Sequence, residues 1–265
     1  LLRSSRIALY EHVHGTVAAV ERLAPGLDAS SKTHTGDTIG TLEGCAGHPP
    51  KWGFAPELKE DAPPWVWDEA AHREACEQDA DLYREIGELV AGMSERRERA
   101  KMEHLASLLQ RRGMVIAYDS HLLSLKVFEA ALLERELPTA LFTGEGGQRA
   151  KRKAMKQLGL ESAKDRMVAL CTDAFSEGMN LQKASVVVHL DTPTVIRTAE
   201  QRAGRVDRMD SPHDEVEIWW PRDPPGFAPR RKELLRERHE VVSDLIGANL
   251  QMPDQVTADV LDVED

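Results

Sequence analysis

Cysteine, aromatic side chains, long apolar runs and excess positive charge are all scarce in this 265-residue chain. Three cysteines exclude a disulfide framework and fit a reducing compartment, which we read as the cytoplasm. No apolar run reaches the ~18 residues of a membrane-spanning helix, so no membrane partner is expected. The amino terminus has no secretory pattern; Leu1 opens inside an apparent helix and reads as an internal cut. Nowhere does Gly-x-x-x-x-Gly-Lys-Ser/Thr occur, which excludes that phosphate-cradling loop. Asp68-Glu69-Ala70 follows Trp65-Val66-Trp67 rather than a buried strand, so we read a helix start, not a magnesium motif. The net charge of −11 argues against a generally nucleic-acid-coating surface. That charge is uneven, however: acid gathers at 57–98 and beyond 253, whereas Gln148 to Lys156 is basic. Local charge governs phosphate binding, although a solvated helix face would look the same.

The most informative stretch is Gln201-Arg202-Ala203-Gly204-Arg205-Val206-Asp207-Arg208. We read it as the start of a helix with Arg205 and Arg208 on one face, able to point together at a polyphosphate. Upstream, Met167 to Cys171 is a short apolar run, followed by a polar loop with Thr172, Asp173, Ser176, Glu177 and Gly178. A β-branched run, Val186-Val187-Val188, ends in Asp191-Thr192-Pro193, a breaker before the arginine helix. Strand, polar loop, strand, arginine helix is the order of an α/β domain with a largely parallel sheet. Polar residues beyond strand ends are where such sheets place ligand sites. On spacing alone, the alternative is an ordinary α/β domain with a charged surface helix.

Four ordered segments together carry a resemblance. Thr172 to Gln182 resembles motif V of superfamily-two helicases in its Swi/Snf-type form, and Gln201 to Arg208 resembles motif VI. Gly113 to Leu125 is similar to the motif IV strand and its helix, and Leu141 to Gly144 with Gln148 to Arg152 to the segment after it. The likeness spans about 101–220 and looks closest to bacterial Snf-type translocases. It implies a RecA-like lobe, the second of two in a motor that hydrolyses ATP with Mg2+ bound mainly by the absent first lobe. It also implies DNA, duplex by preference, as partner, with further protein subunits possible in the assembly. Arg205 and Arg208 would be arginine fingers, Gln201 would position nucleotide or water, and Gly204 would allow close packing between lobes. Glu177 and Gly178 would face the nucleotide. Thr172 would meet DNA phosphates, and Ser120, His121, Gly144 and Arg149 would lie on the DNA side. Asp119 stands where the family has a small hydroxyl residue and would repel a phosphate brought close. The alternatives are a strand-separating DNA or RNA helicase lobe and a non-catalytic scaffold. This fragment alone is expected to be inactive.

The resemblance divides the chain into a helical extension (1–100), the lobe (101–222) and a carboxy-terminal helix with an acidic tail (223–265). In the first part, Ile7, Leu9, Val13, Val17, Val20 and Leu23 have helical spacing up to Pro25-Gly26. Residues 28–64 show no period and read as a loop, part of an insertion at about 28–75. Trp52, Phe54, Trp65 and Trp67 read as anchors there, or as a base-stacking platform. Two helices broken near Gly92-Met93-Ser94 lead into the motif IV strand. Cys45 and His48, with His72 and Cys76 at i, i+4, have zinc-like spacing. Ten histidines make chance pairs expected, and no metal is assigned. Glu215 to Trp220 reads as a last strand, and Arg230 to Leu250 as a bracing helix.

Overall fold

The computed structural model describes residues 4–28, 36–47, 68–144, 147–176, 179–193, 196–209 and 211–221. The aromatic residues of the insertion, Glu177, Gly178, His48 and the carboxy-terminal helix and tail lie outside the described residues. The chain divides into two compact units, Leu1–Ser94 and Glu95–Asp265. No described helix is long and apolar enough to cross a membrane.

Among the described residues, the first unit holds three helices, α1 (Arg6–Leu23), α2 (Thr38–Gly47) and α3 (Glu69–Gly92). Helix α1 opens just ahead of its apolar spacing: Ser5 is the N-cap and its hydroxyl accepts from the Ala8 amide at 3.1 Å. Gly15 (φ 84°, ψ 166°) interrupts the helix, and Val17 beyond it turns outward, 58% exposed, rather than continuing the buried face. Helix α2 corrects the reading of 28–64 as loop throughout. Asp37 begins it, accepting from the Gly40 amide at 2.8 Å. Two buried residues, Ile39 and Ala46, fix the inner face, too few for a period to show in the sequence. Asp68 caps α3 by accepting from the Ala70 and Ala71 amides, as expected of a helix start.

The second unit is a five-stranded, all-parallel sheet flanked by helices, the fold class expected from the sequence. In chain order it runs α4 (Arg96–Arg112), β1 (Met114–Tyr118), α5 (Leu122–Glu134), β2 (Thr139–Phe142), α6 (Gly147–Leu158) and β3 (Met167–Cys171). Then come α7 (Asp173–Ser176), β4 (Val186–His189), α8 (Ile196–Ala203) and β5 (Glu217–Trp219). Strand order is β2-β3-β1-β4-β5.

Strands β1, β3 and β4 are buried along their whole length because both sheet faces are covered. Met114, Ile116 and Tyr118 join Met167, Ala169 and Cys171 under Ala154 and Leu158 of α6. On the other face Val115, Ala117, Val168, Leu170, Val186 and Val188 pack against Leu105, Leu108 and Leu109 of α4 and Leu125, Phe128 and Leu132 of α5. Each such buried side chain contributes about 1.5–3 kcal/mol of transfer free energy. Alternate strand residues therefore feed two cores, which is why the runs read as continuous rather than alternating.

From β1 the chain moves outward to β2 and returns through β3. It then crosses to β4 and β5 on the other side. Adjacent strands β1 and β4 thus send their chains in opposite directions, and outside the carboxyl ends at such a switch point is where open sheets place their ligand crevice. Asp119, Ser120 and His121 follow β1 there, and Asp191 follows β4.

Candidate nucleotide and nucleic-acid interface

At this crevice the dominant side chain is Arg202, 1% exposed, on α8. Its Nε and Nη2 donate to the two carboxylate oxygens of Asp173 at 2.6 and 2.8 Å, a bidentate fork. Nη1 donates to Asp191 at 3.0 Å and faces His189 Nδ1 at 3.1 Å, and the guanidinium lies 5.3 Å from the Tyr118 ring centre. One cation thus joins the loops after β1, β3 and β4. Its burial would lower its basicity, but Asp173 and Asp191 outweigh that and raise it. Burial likewise pushes Asp191 up, yet Arg202 and Ser120 hold it below the ordinary carboxylate range. Burial, aided by Arg202, drives His189 down to about 3, so its imidazole is neutral.

Ser120, expected to face DNA, gives both its amide (3.1 Å) and its hydroxyl to the same oxygen of Asp191. Asp119, expected to repel phosphate, is fully buried and turned inward. Its carboxylate accepts from the His121 amide at 2.8 Å and faces the His121 ring at 3.3 Å. Asp119 also acts on the half-buried Lys101, whose ammonium donates to the Leu190 carbonyl at 2.5 Å. Burial lowers the Lys101 ammonium to about 8, and Asp119 opposes that shift. A charged residue at this position is satisfied from behind, by a helix the motif does not include.

The two arginines expected to be fingers do not open a helix. Helix α8 ends at Ala203, so Arg205 and Arg208 follow a helix instead of opening one. Gly204 ends it, and the Arg205 and Val206 amides bond three residues back, to Arg202 and Ala203. Val206, fully buried, anchors the turn. The Leu181 amide donates to the Arg205 carbonyl at 2.9 Å, tying the motif V segment to this turn. Arg205 is half-buried, with its Nε enclosed and lacking a hydrogen-bond partner among the described residues. Arg208 is exposed and its Nε donates only to the Gly204 carbonyl at 3.3 Å. Gln201 and Gly204 are exposed on the same short stretch.

Thr172 follows β3, its amide bonded to the Phe142 carbonyl and its Oγ1 buried without a described partner. Gly144 lies where a Cβ would stand 2.7 Å from Ala174, so it lets β2's end approach α7 closely. Arg149 is exposed on α6, within the basic stretch.

Asp119, His121 and Asp191 bring ligand atoms within 4.8 Å of one another. They do not fit a resident magnesium ion. Arg202 takes one Asp191 oxygen and Ser120 the other, while His121 and Lys101 act on Asp119. Sequence reasoning missed Arg202, Asp173, Asp191 and Lys101 as a unit. The available signal was a carboxylate directly beyond an all-apolar strand, which needs a cation or donor once buried.

Comparison with known proteins covers the same region. RNA polymerase-associated protein RapA of Serratia proteamaculans (strain 568) is 33% identical over 104 residues, 39% of this chain. The aligned part spans 11% of that relative's length. Among solved structures, the C-terminal part of the Fun30 ATPase domain aligns with TM-score 0.43 at 14% identity, covering 83% of this chain and 68% of that one. The RNA helicase Prp28 from Chaetomium thermophilum aligns with TM-score 0.44 at 16% identity, over 57% and 34%. Residues 100–210 match the family described as helicase conserved C-terminal domain, and the crevice, Arg202 and both candidate fingers fall inside that match.

Proposed function

We propose that the second unit is the carboxy-terminal lobe of an ATP-dependent DNA translocase of the superfamily-two, Snf-type branch. In this reading, the 101–222 region is the motor lobe and 1–100 a helical extension. The observation that carries the reading is a division of labour among three arginines. Arg202 is spent inside the lobe, whereas Arg205 and Arg208 pair with no carboxylate among the described residues. Two cations held on a short, anchored turn suit a polyphosphate presented by another lobe.

In the assembled motor, water attacks the γ-phosphorus of ATP and the bond to the bridging oxygen breaks. Arg205 and Arg208 donate to the oxygens on which charge accumulates when the lobes close. Magnesium, which the first lobe would hold for the most part, would supply charge neutralisation at the phosphates. Gln201 positions nucleotide or water beside the fingers, and Glu177 and Gly178 complete the nucleotide-facing loop. Thr172, His121, Arg149 and the basic face of α6 contribute the DNA side, with Ser120 and Gly144 shaping the loops behind them. The Leu181–Arg205 backbone bond gives a direct route from the DNA-facing loop to the finger. The form Met179-Asn180-Leu181-Gln182 after Glu177-Gly178 favours the Snf branch over strand-separating relatives.

The test is ATP hydrolysis by the chain joined to a nucleotide-binding lobe, with duplex DNA, single-stranded DNA and RNA in parallel. Stimulation by duplex supports translocation on DNA. Stimulation by single strands or RNA alone favours the strand-separating alternative, and no turnover on any nucleic acid favours a scaffold.

A further inference from the structure

The loop after β1 departs from the motif it resembles: Asp119 stands where a small hydroxyl residue is expected, and His121 follows two residues on. One oxygen of the Asp119 carboxylate accepts from the His121 amide at 2.8 Å and faces Nδ1 of the same residue at 3.3 Å. The pair opens to solvent on one side only. The Asp119 side chain is fully enclosed, whereas that of His121 is 20% exposed. A carboxylate at Nδ1 makes that nitrogen the donor and leaves the Nε2 lone pair as the open end of the ring. Nε2 of His121 is neither enclosed nor bonded among the described residues.

The charges around the pair are already matched. Asp191, after β4, brings a carboxylate oxygen within 4.8 Å of both, but its two oxygens are taken by Arg202 of α8 and by Ser120. Lys101 of α4, whose ammonium holds the Leu190 carbonyl, acts on both carboxylates. Two carboxylates thus stand beside two cations. A proton on His121 adds a positive charge with no carboxylate left to meet it, and adds it on the open side of the cluster.

We propose, on the reading of this loop as DNA-facing, that Asp119 is a positioning residue. It fixes the His121 imidazole with Nε2 outward, and protonated His121 then binds a phosphate of duplex DNA. A hydroxyl at 119 lacks the charge that strengthens a hydrogen bond from an imidazolium. Contact through a histidine makes DNA affinity sensitive to pH, since the ordinary charge change of histidine falls between pH 5 and 8.

The experiment uses the chain joined to a nucleotide-binding lobe and follows the anisotropy of a fluorescent duplex DNA against salt, at pH 5.5 and at pH 7.5. Both values lie below the value of about 8 to which Lys101 is lowered, so that lysine keeps most of its charge. The plot of log affinity against log salt should be steeper at pH 5.5 by about 0.9, the increment of one phosphate contact. His121→Gln should remove that difference. Asp119→Asn keeps an oxygen for the His121 amide and loses only the charge. It should lose far more affinity at pH 5.5 than at pH 7.5, a selectivity that general loosening of the loop would not give. Equal slopes at the two pH values in wild type would overturn the proposal, as would a difference that survives in His121→Gln or stands undiminished in Asp119→Asn. Wild type that binds no duplex at either pH would overturn the DNA-facing reading with it, so the two failures are distinguishable.

Discussion

At the scale of single residues, three arginines within seven positions stand in different surroundings, and only the structure separates those. Arg202 lies within the octamer that draws attention to Arg205 and Arg208, yet its partners Asp173 and Asp191 are 29 and 11 residues away. Such distance is invisible to spacing rules. What could be read is that Asp173 and Asp191 each follow an apolar strand closely, where a buried carboxylate needs a cation. Replacing Arg202 by Ala leaves Asp191 buried without its charge partner, and we expect a loss of about 3–5 kcal/mol in urea denaturation. Arg202→Lys should recover only part, because an ammonium cannot reproduce the bidentate fork on Asp173. His189 gives a pH signature. Its folded value of about 3 lies below its ordinary 6.5, so the unfolded chain binds the extra proton between them. Its stabilising contribution is complete above about 6.5 and is lost as pH falls, by ~1.4 kcal/mol per unit. Denaturation of His189→Gln between pH 7 and pH 5 should lack that one-proton slope (~1.4 kcal/mol per unit).

At the scale of elements, the sheet was the readable part. Strands β1, β3 and β4 are continuous apolar runs, and the break between α3 and α4 falls at the glycine and serine that mark it. Helix α2 was hidden, since it buries only Ile39 and Ala46 and shows no period. The end of α8 was misread because an arginine pair at i, i+3 looks helical even when Gly204 has already stopped the helix. A sharper element-level constraint sits at Gly113, between α4 and β1, where φ is 76° and a Cβ would stand 2.6 Å from the Asp165 carbonyl oxygen. Gly113→Ala should therefore destabilise by about 1–2 kcal/mol from the backbone alone, with the clash added. Gly44→Ala in α2, where a Cβ meets nothing within 4 Å, should be neutral or stabilise by up to about 1 kcal/mol. Thermal melts of the two variants side by side separate strain from helix propensity.

At the scale of the whole molecule, the chain is two units, and the sequence carried unequal information about them. The second was legible through its apolar strands and the ordered segments that follow them. The first was legible only in part, because α2 buries just Ile39 and Ala46 and shows no period. The net charge of −11 is uneven along the chain, since α6 carries basic residues and no acidic one. The central claim is that Arg205 acts on a nucleotide held elsewhere. The most direct measurement is kcat at saturating ATP and duplex DNA for the two-lobed protein, wild type beside Arg205→Ala. A loss of about 10³-fold or more, with folding and DNA affinity unchanged, is what an arginine finger predicts. Undiminished turnover in Arg205→Ala would contradict it.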